Sequence, residues 1–309
     1  MAYVGEAPWH RLGHELLPGR PIEEWVKAAR LDWKLERLPV QYLFGGALRT
    51  MDERFVLART DTGEALSVVS EDYRVVQPRE VLEFYRDLVE DQGCTLETAG
   101  ALNGGRKIWA LARTRSTAAL ERDKSDQLEA YILLATSCDK TLATTAAFTS
   151  VRVVCQNTLS FAMSDVAEHK RPKVKVTHSH FFDPTAVKKE LGLDEAWKAF
   201  IRKANAMSAR RLGSEEVAAF FDALLRQKPD KPLSPKAQRE YATVCALLSS
   251  APGQNVESAK GTLWGAVNAV SYYTDHVRAS SSARLDSAWF GAGAALKNKA
   301  WAAADALIS

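Results

Sequence analysis

The sequence predicts an α+β fold, with antiparallel β-hairpins and a mixed sheet in the front half and a mainly helical back half. Three observations lead there. Turn signals at Asp61-Thr62-Gly63 and Asn103-Gly104-Gly105 each separate two β-prone runs. From about residue 184 onward, apolar residues recur at helical spacing. Between these regions the composition changes at "EHKRPKVKVTHSHFFDP". The expected organisation is a β-rich α+β domain over 1–167, then a basic connector and helical region over 168–309 that can pack on the same core.

Taken in order, "RPIEEWVKAARLDW" places Ile22, Trp25, Val26 and Ala29 on one helical stripe, with Pro21 suited to the first turn. "RFVLARTDTGEALSVVSEDYRVV" reads as a hairpin turning at Asp61-Thr62-Gly63. A helix follows from Pro78, with Val81, Phe84, Tyr85, Leu88 and Val89 on its stripe and Gly93 as its C-terminal cap. "CTLETAGAL" and "RKIWALART" form a second hairpin across Asn103-Gly104-Gly105, and Asn-Gly is a favoured turn signal. "LEAYILLATSCD" and "ATTAAFTSVRVVC" read as strands, and Asn157–Val166 as a short helix that Asn157 caps. The back half then reads as helices at about 184–212, 214–226, 234–249, 257–277 and 286–307, with "RQKPDKPLSP" as a turn.

With 309 residues, 46% apolar and 26% charged, the chain has the composition of an ordinary globular protein. No run approaches a membrane span, and "MAYVGEAPWHRLG" is too polar for a signal peptide, so a cytoplasmic location is expected. Cys94, Cys138, Cys155 and Cys245 are widely spread without a CxxC pair, as expected of reduced, mostly buried thiols. "GAGAAL" follows no strand and lacks the third glycine of a dinucleotide fingerprint. A P-loop and an HExxH run are absent from the sequence. Scattered carboxylates such as Glu121, Asp123 and Asp126 form no recognisable two-metal set. His178 and His180 with Asp183 are at most half a metal site. Neither a cofactor nor a metal is expected.

The formal charge of +3 is slight, so an anionic partner would depend on local clusters. Lys170, Arg171, Lys173 and Lys175 fall within six residues, a strip able to follow a phosphate backbone. Arg202, Lys203, Arg210 and Arg211 continue this character along the next helix. Arg106, Lys107 and Arg113 lie on the second hairpin beside Trp109, a candidate stacking surface. In the central stretch, Arg152 stands between valines and needs a solvent face or an anionic partner, either a ligand phosphate or a carboxylate.

Four segments, "APWHRLG", "VVSEDYRVVQPREVLEF", "TSVRVVCQNTLSFAM" and "TLWGAVNAVSYYTDH", carry a resemblance to the phage/plasmid-like family known as domain of unknown function 932. The matching positions are Trp9, His10 and Gly13; Tyr73 and Pro78; Arg152, Cys155, Asn157 and Thr158; and Trp264, Asn268, Tyr273, Asp275 and His276. The opening motif often has glycine where this chain has Arg11. The resemblance implies the company of phages, plasmids and integrated elements, and supplies no reaction. The hairpins and basic strips are also similar, at fold level, to phage single-strand annealing proteins.

Together these features lead to the expectation of a non-enzymatic protein that binds or anneals single-stranded DNA. It would act as a homo-oligomer, away from membranes, beside phage or host replication and recombination proteins. Its nucleic-acid contacts would be the basic residues just named, with Trp109. The alternatives are a nuclease or hydrolase built on His10, Cys155, Asp275 and His276, or a phage-encoded protein-interaction module.

Overall fold

The computed structural model describes residues 1–5, 7–8, 10–160, 173–175, 192–226 and 230–309, without side chains at 87–92, 160, 173–175 and 281–282. The fold is α+β, with its hairpins in the front half and its helices mainly in the back half. In chain order the front half contains β1 (Ala2–Val4), β2 (His14–Leu16), α1 (Ile22–Ala28), β3 (Leu35–Phe44), β4 (Ala47–Arg59), β5 (Ala65–Ser70), α2 (Pro78–Gln92), β6 (Thr95–Leu102), β7 (Lys107–Ala119), β8 (Gln127–Ser137) and β9 (Thr145–Arg152). There follow β10 (Asn157–Ser160), β11 (Lys173–Lys175), α3 (Leu193–Ala209), α4 (Ser214–Leu225), α5 (Pro235–Ser250), α6 (Leu263–Tyr272), α7 (Ser281–Phe290) and α8 (Ala292–Asp305).

One sheet has the order β10-β9-β8-β7-β6-β1-β2, with β11 on β9; the other is β3-β4-β5. The chain forms two compact units, 1–114 with 132–147 and 173–191, and 115–131 with 148–172 and 192–309. They are not the contiguous stretches that a boundary near 168 would give, because β7, β8 and β9 each contribute residues to both.

In the first unit, β3 and β4 form a long antiparallel ribbon closed by Gly45-Gly46, where Phe44 pairs with Ala47. Both glycines have positive φ (59° and 79°), the geometry a two-residue hairpin turn requires. The expected hairpins at Asp61-Thr62-Gly63 and Asn103-Gly104-Gly105 are both present, as β4–β5 and β6–β7. Helix α2 buries Val81, Leu82, Phe84 and Tyr85 and ends before Gly93, which takes the left-handed conformation of a helix C-terminus. The Tyr85 hydroxyl donates to Ala110 O (2.7 Å) and accepts from Leu134 N–H (2.6 Å), joining the helix to β7 and β8.

The second unit is organised by stacked and edge-on aromatics, with Phe200 against Trp301 (centroids 5.1 Å), Trp197 and Phe148, and Trp264 edge-on to Trp301. Three expected elements differ. Asn157–Ser160 is a strand paired with β9, so Asn157 caps no helix; the rest of that expected helix, 161–166, lies outside the described residues. Of the helix expected at 184–212, residues 184–191 lie outside the described residues, and α3 occupies Leu193–Ala209. The helix expected at 257–277 begins at Leu263, because Gly261 is left-handed (φ 66°) and Thr262 Oγ1 caps by accepting from Gly265 N–H (3.2 Å). The last expected helix divides at Gly291 into α7 and α8, with Ser287 Oγ accepting from Gly293 N–H (3.1 Å) at the junction.

His10 lies buried in the first unit, edge-on to Trp109 (5.7 Å). Its Nδ1 accepts from Leu12 N–H (3.1 Å), and its Nε2 lies 3.4 Å from Thr98 Oγ1. The neutral ring satisfies both contacts, whereas a second ring proton would face the Leu12 donor. Burial, then the Met1 ammonium, lower its pKa from 6.5 to about 4. The unfolded chain therefore binds this proton first as pH falls, so the contribution is complete above pH 6.5 and declines toward pH 4. It amounts to about 3 kcal/mol. Urea unfolding across this range should show the loss in the natural chain, and His10→Gln should remove that part of the pH slope.

Candidate nucleic-acid interface

The residue most in need of a partner, Arg152, finds it inside the protein. It ends β9, fully buried, and its fork grips the equally buried Asp126 with Nε to Oδ1 and Nη2 to Oδ2, both at 2.7 Å. Asp126 Oδ2 also accepts from Ser258 Oγ (2.5 Å) and Trp264 Nε1 (3.1 Å), while Arg152 Nη2 also donates to Gly253 O (2.9 Å). Gly253 has φ 74°, and a Cβ there would meet Val154 Cγ1 at 2.6 Å and Arg152 Nη1 at 3.1 Å. Burial, the largest single influence, disfavours the guanidinium charge, but the hydrogen bonds and electrostatic attraction of Asp126 and Cys155 together outweigh it and the Arg152 pKa stands above its usual value. The expected contact with a ligand or nucleic acid is thus corrected: Arg152 is architecture.

A second network adjoins this stretch of chain. Asp275 Oδ2 accepts from Thr158 N (2.7 Å) and Oγ1 (2.8 Å), and Lys297 Nζ donates to Asp275 Oδ1 (2.8 Å), Thr158 Oγ1 (2.7 Å) and Thr158 O (3.1 Å). All three ammonium protons therefore have acceptors. Asn157 Nδ2 donates to Asn268 O (3.1 Å). Asp275 sits in a widened π-turn, Tyr273–Val277, that continues α6. Burial raises the Cys155 pKa, so its thiol stays protonated, and burial lowers that of His276. Arg152, Asp126, Asn157, Thr158, Asp275 and Lys297 are buried, and His276 is half-buried. Among the described residues, no group of three or more His, Cys, Asp or Glu could hold a metal ion. No described helix is long and apolar enough to cross a membrane.

Several of the other expected contact residues are occupied by carboxylates. Arg106 pairs with Glu64 (3.3 Å), Arg113 with Glu97 (2.7 Å), Lys203 with Asp305 (2.5 Å) and Arg210 with Glu216 (2.5 Å). Arg211 donates to Lys260 O (2.7 Å), Lys107 is half-buried and Arg202 is exposed. Trp109 is fully buried, so it belongs to the core and offers no exposed stacking surface. Lys170 and Arg171 lie outside the described residues, as do His178, His180 and Asp183; Lys173 and Lys175 are described only as backbone of β11.

The exposed surface that sequence reasoning missed is the β3–β4 ribbon. Beyond a register shift between Pro39 and Gln41, strand alternation places Tyr42 and Phe44 on one face of β3. Across the pair, Arg49 stands opposite Tyr42 and Val56 opposite Leu38, with Val68 of β5 completing that row. Tyr42 is 49% exposed and Phe44 65%, and the Arg49 guanidinium lies 5.4 Å from the Phe44 ring centre. Leu43 and Leu48 pair on the opposite face of the tip, also exposed. β5 pairs with β4 only from Arg54 to Ala58, so the outer ribbon has no third strand among the described residues. The signal was present in "YLFGGALR", a Gly-Gly turn between apolar runs.

Removing one partner of the Arg152–Asp126 pair should strand a buried charge. Asp126→Asn and Arg152→Met should each lower unfolding free energy by about 3–5 kcal/mol, read as urea midpoints. The double variant Asp126→Leu/Arg152→Met should lose less than either single change. Strictly additive losses would show that the two side chains act independently.

A family model described as a domain of unknown function, DUF932, matches residues 65–300. That span contains both buried networks and excludes β3, β4 and the opening motif with His10 and Gly13; Trp9 lies outside the described residues as well. No curated protein and no solved structure matches the chain. With the greater part of its length covered by that model, the chain belongs to the DUF932 family.

Proposed function

We propose that this protein binds and anneals single-stranded DNA without hydrolysing it, using the β3–β4 ribbon as a stacking platform. The observation that carries this reading is the exposed cluster of Tyr42, Phe44 and Arg49 on one ribbon face. Aromatic rings stack on any base, at about 1–3 kcal/mol per base, and arginine adds charge attraction and cation–π contact. Arg54 pairs with Ser70 on the three-stranded part of the same sheet, within reach of a strand crossing the ribbon. Bases held by their flat faces keep their pairing edges open, which is the requirement for annealing. Membership of a phage/plasmid-like family supports a setting of replication or recombination in mobile elements.

A protein-docking role has its own support in Leu43 and Leu48, which lie exposed on the opposite face. In an annealing protein this face is where a second copy of the chain packs to form the oligomer.

Fluorescence anisotropy with labelled oligothymidylate tests the reading. Binding is expected at low salt, weakening steeply as salt rises. Tyr42→Ala/Phe44→Ala should weaken it about tenfold or more with an unchanged circular dichroism spectrum, since both rings are exposed. Absence of binding across several oligonucleotide lengths, or undiminished affinity in the variant, would overturn the proposal.

A further inference from the structure

In the second unit a surface cleft of about 410 Å³ opens between α5 and the end of the π-turn. On α5, Lys236, Arg239, Glu240 and Thr243 follow the spacing i, i+3, i+4 and i+7, so they share one face. The opposite wall carries Tyr273 and Arg278. The Arg278 segment is held in place: Arg284 donates from Nε to Arg278 O (3.0 Å) and from Nη2 to Ala279 O (2.9 Å), across a residue with φ 63°.

The charges in the cleft do not balance. Glu240 is its sole carboxylate, and it faces Arg278 at 3.7 Å. Burial and this carboxylate push the Tyr273 hydroxyl up to about 12, so it stays protonated at neutral pH. Lys236 and Arg239 have no ion-pair partner among the described residues, whereas Arg210, Arg226 and Arg278 each face a carboxylate. Lys236 also stands in the first turn of α5, where the helix dipole disfavours a cation. An anion in the cleft would relieve both costs at once.

We infer that this cleft is a binding site for a phosphate ester, held by Lys236, Arg239 and Arg278. Two arginine forks and a lysine ammonium match the oxygens of a phosphate. Val277, 42% exposed on the cleft wall, gives the organic part of the ester an apolar contact. The same chemistry is offered by a free nucleotide and by the backbone of a DNA strand. The cleft is argued from its own charges and does not depend on the ribbon.

The test is calorimetric titration of the full-length protein with inorganic phosphate, thymidine 5′-monophosphate and oligothymidylate. Each is compared between the natural chain and Lys236→Gln/Arg239→Gln, in which both altered side chains are exposed. Phosphate and the nucleotide should bind the natural chain and bind the variant about tenfold more weakly. If the ester is the DNA backbone, the variant's salt slope for oligothymidylate should also fall by about 2. If oligothymidylate binding is unchanged while nucleotide binding is lost, the site takes a free ester. Failure of the natural chain to bind phosphate or nucleotide, or equal binding by the variant, overturns the inference. Tyr42→Ala/Phe44→Ala should leave inorganic phosphate binding intact, so failure of the ribbon proposal is read separately.

Discussion

A guanidinium sealed from water must be matched donor for donor, and Arg152 is matched by a carboxylate with the same forked geometry. That requirement governs the second unit. It fixes where β9 ends, brings the loop before β8 against it, and draws in the 253–258 turn and the start of α6 through Gly253, Ser258 and Trp264. Asp126 is shared among four donors, so displacing any one of these segments leaves a polar group stranded in the interior. Lys297 and Asp275 repeat the principle on β10, with Thr158 held between them through both its backbone and its hydroxyl. Such networks specify a unique packing more than they add net stability.

This division explains the character of the exposed surface. Arg152, Asp126, Thr158, Asp275 and Lys297 are engaged in holding the fold, whereas the groups proposed for contact are ones the buried networks do not use. Tyr42, Phe44 and Arg49 lie on a ribbon whose outer half has no third strand among the described residues, and Lys236 and Arg239 lie on a helix face where Glu240 faces Arg278 instead of them. The DUF932 match spans the networks and the α5 cleft but begins after the ribbon.

Much of the fold was legible because local signals act over a few residues. The turns at Gly63 and Gly104, the α2 stripe and the Gly93 cap each follow from their immediate neighbours. The strand at Asn157 was not legible, since its helical spacing was overridden by pairing with β9 and by the bond to Asn268, more than a hundred residues away. Arg152 illustrates the same limit: the sequence states that it needs an anion but not that Asp126, hidden among turn carboxylates, is that anion. Trp109 beside basic residues looked like a platform, yet strand alternation also allowed the inward face it occupies. The central and C-terminal family motifs were recognisable separately. Their meeting through Thr158–Asp275 and Asn157–Asn268 required the structure.

The central claim is that the ribbon face, rather than the Arg152 stretch, meets nucleic acid. Photo-crosslinking the full chain to oligothymidylate, followed by peptide mapping, tests it most directly. The account predicts crosslinks in the peptide bearing Tyr42 and Phe44 and none at Arg152, Cys155 or Trp109. Crosslinks concentrated at those buried positions, or a bound oligonucleotide that leaves the ribbon unmarked, would contradict it.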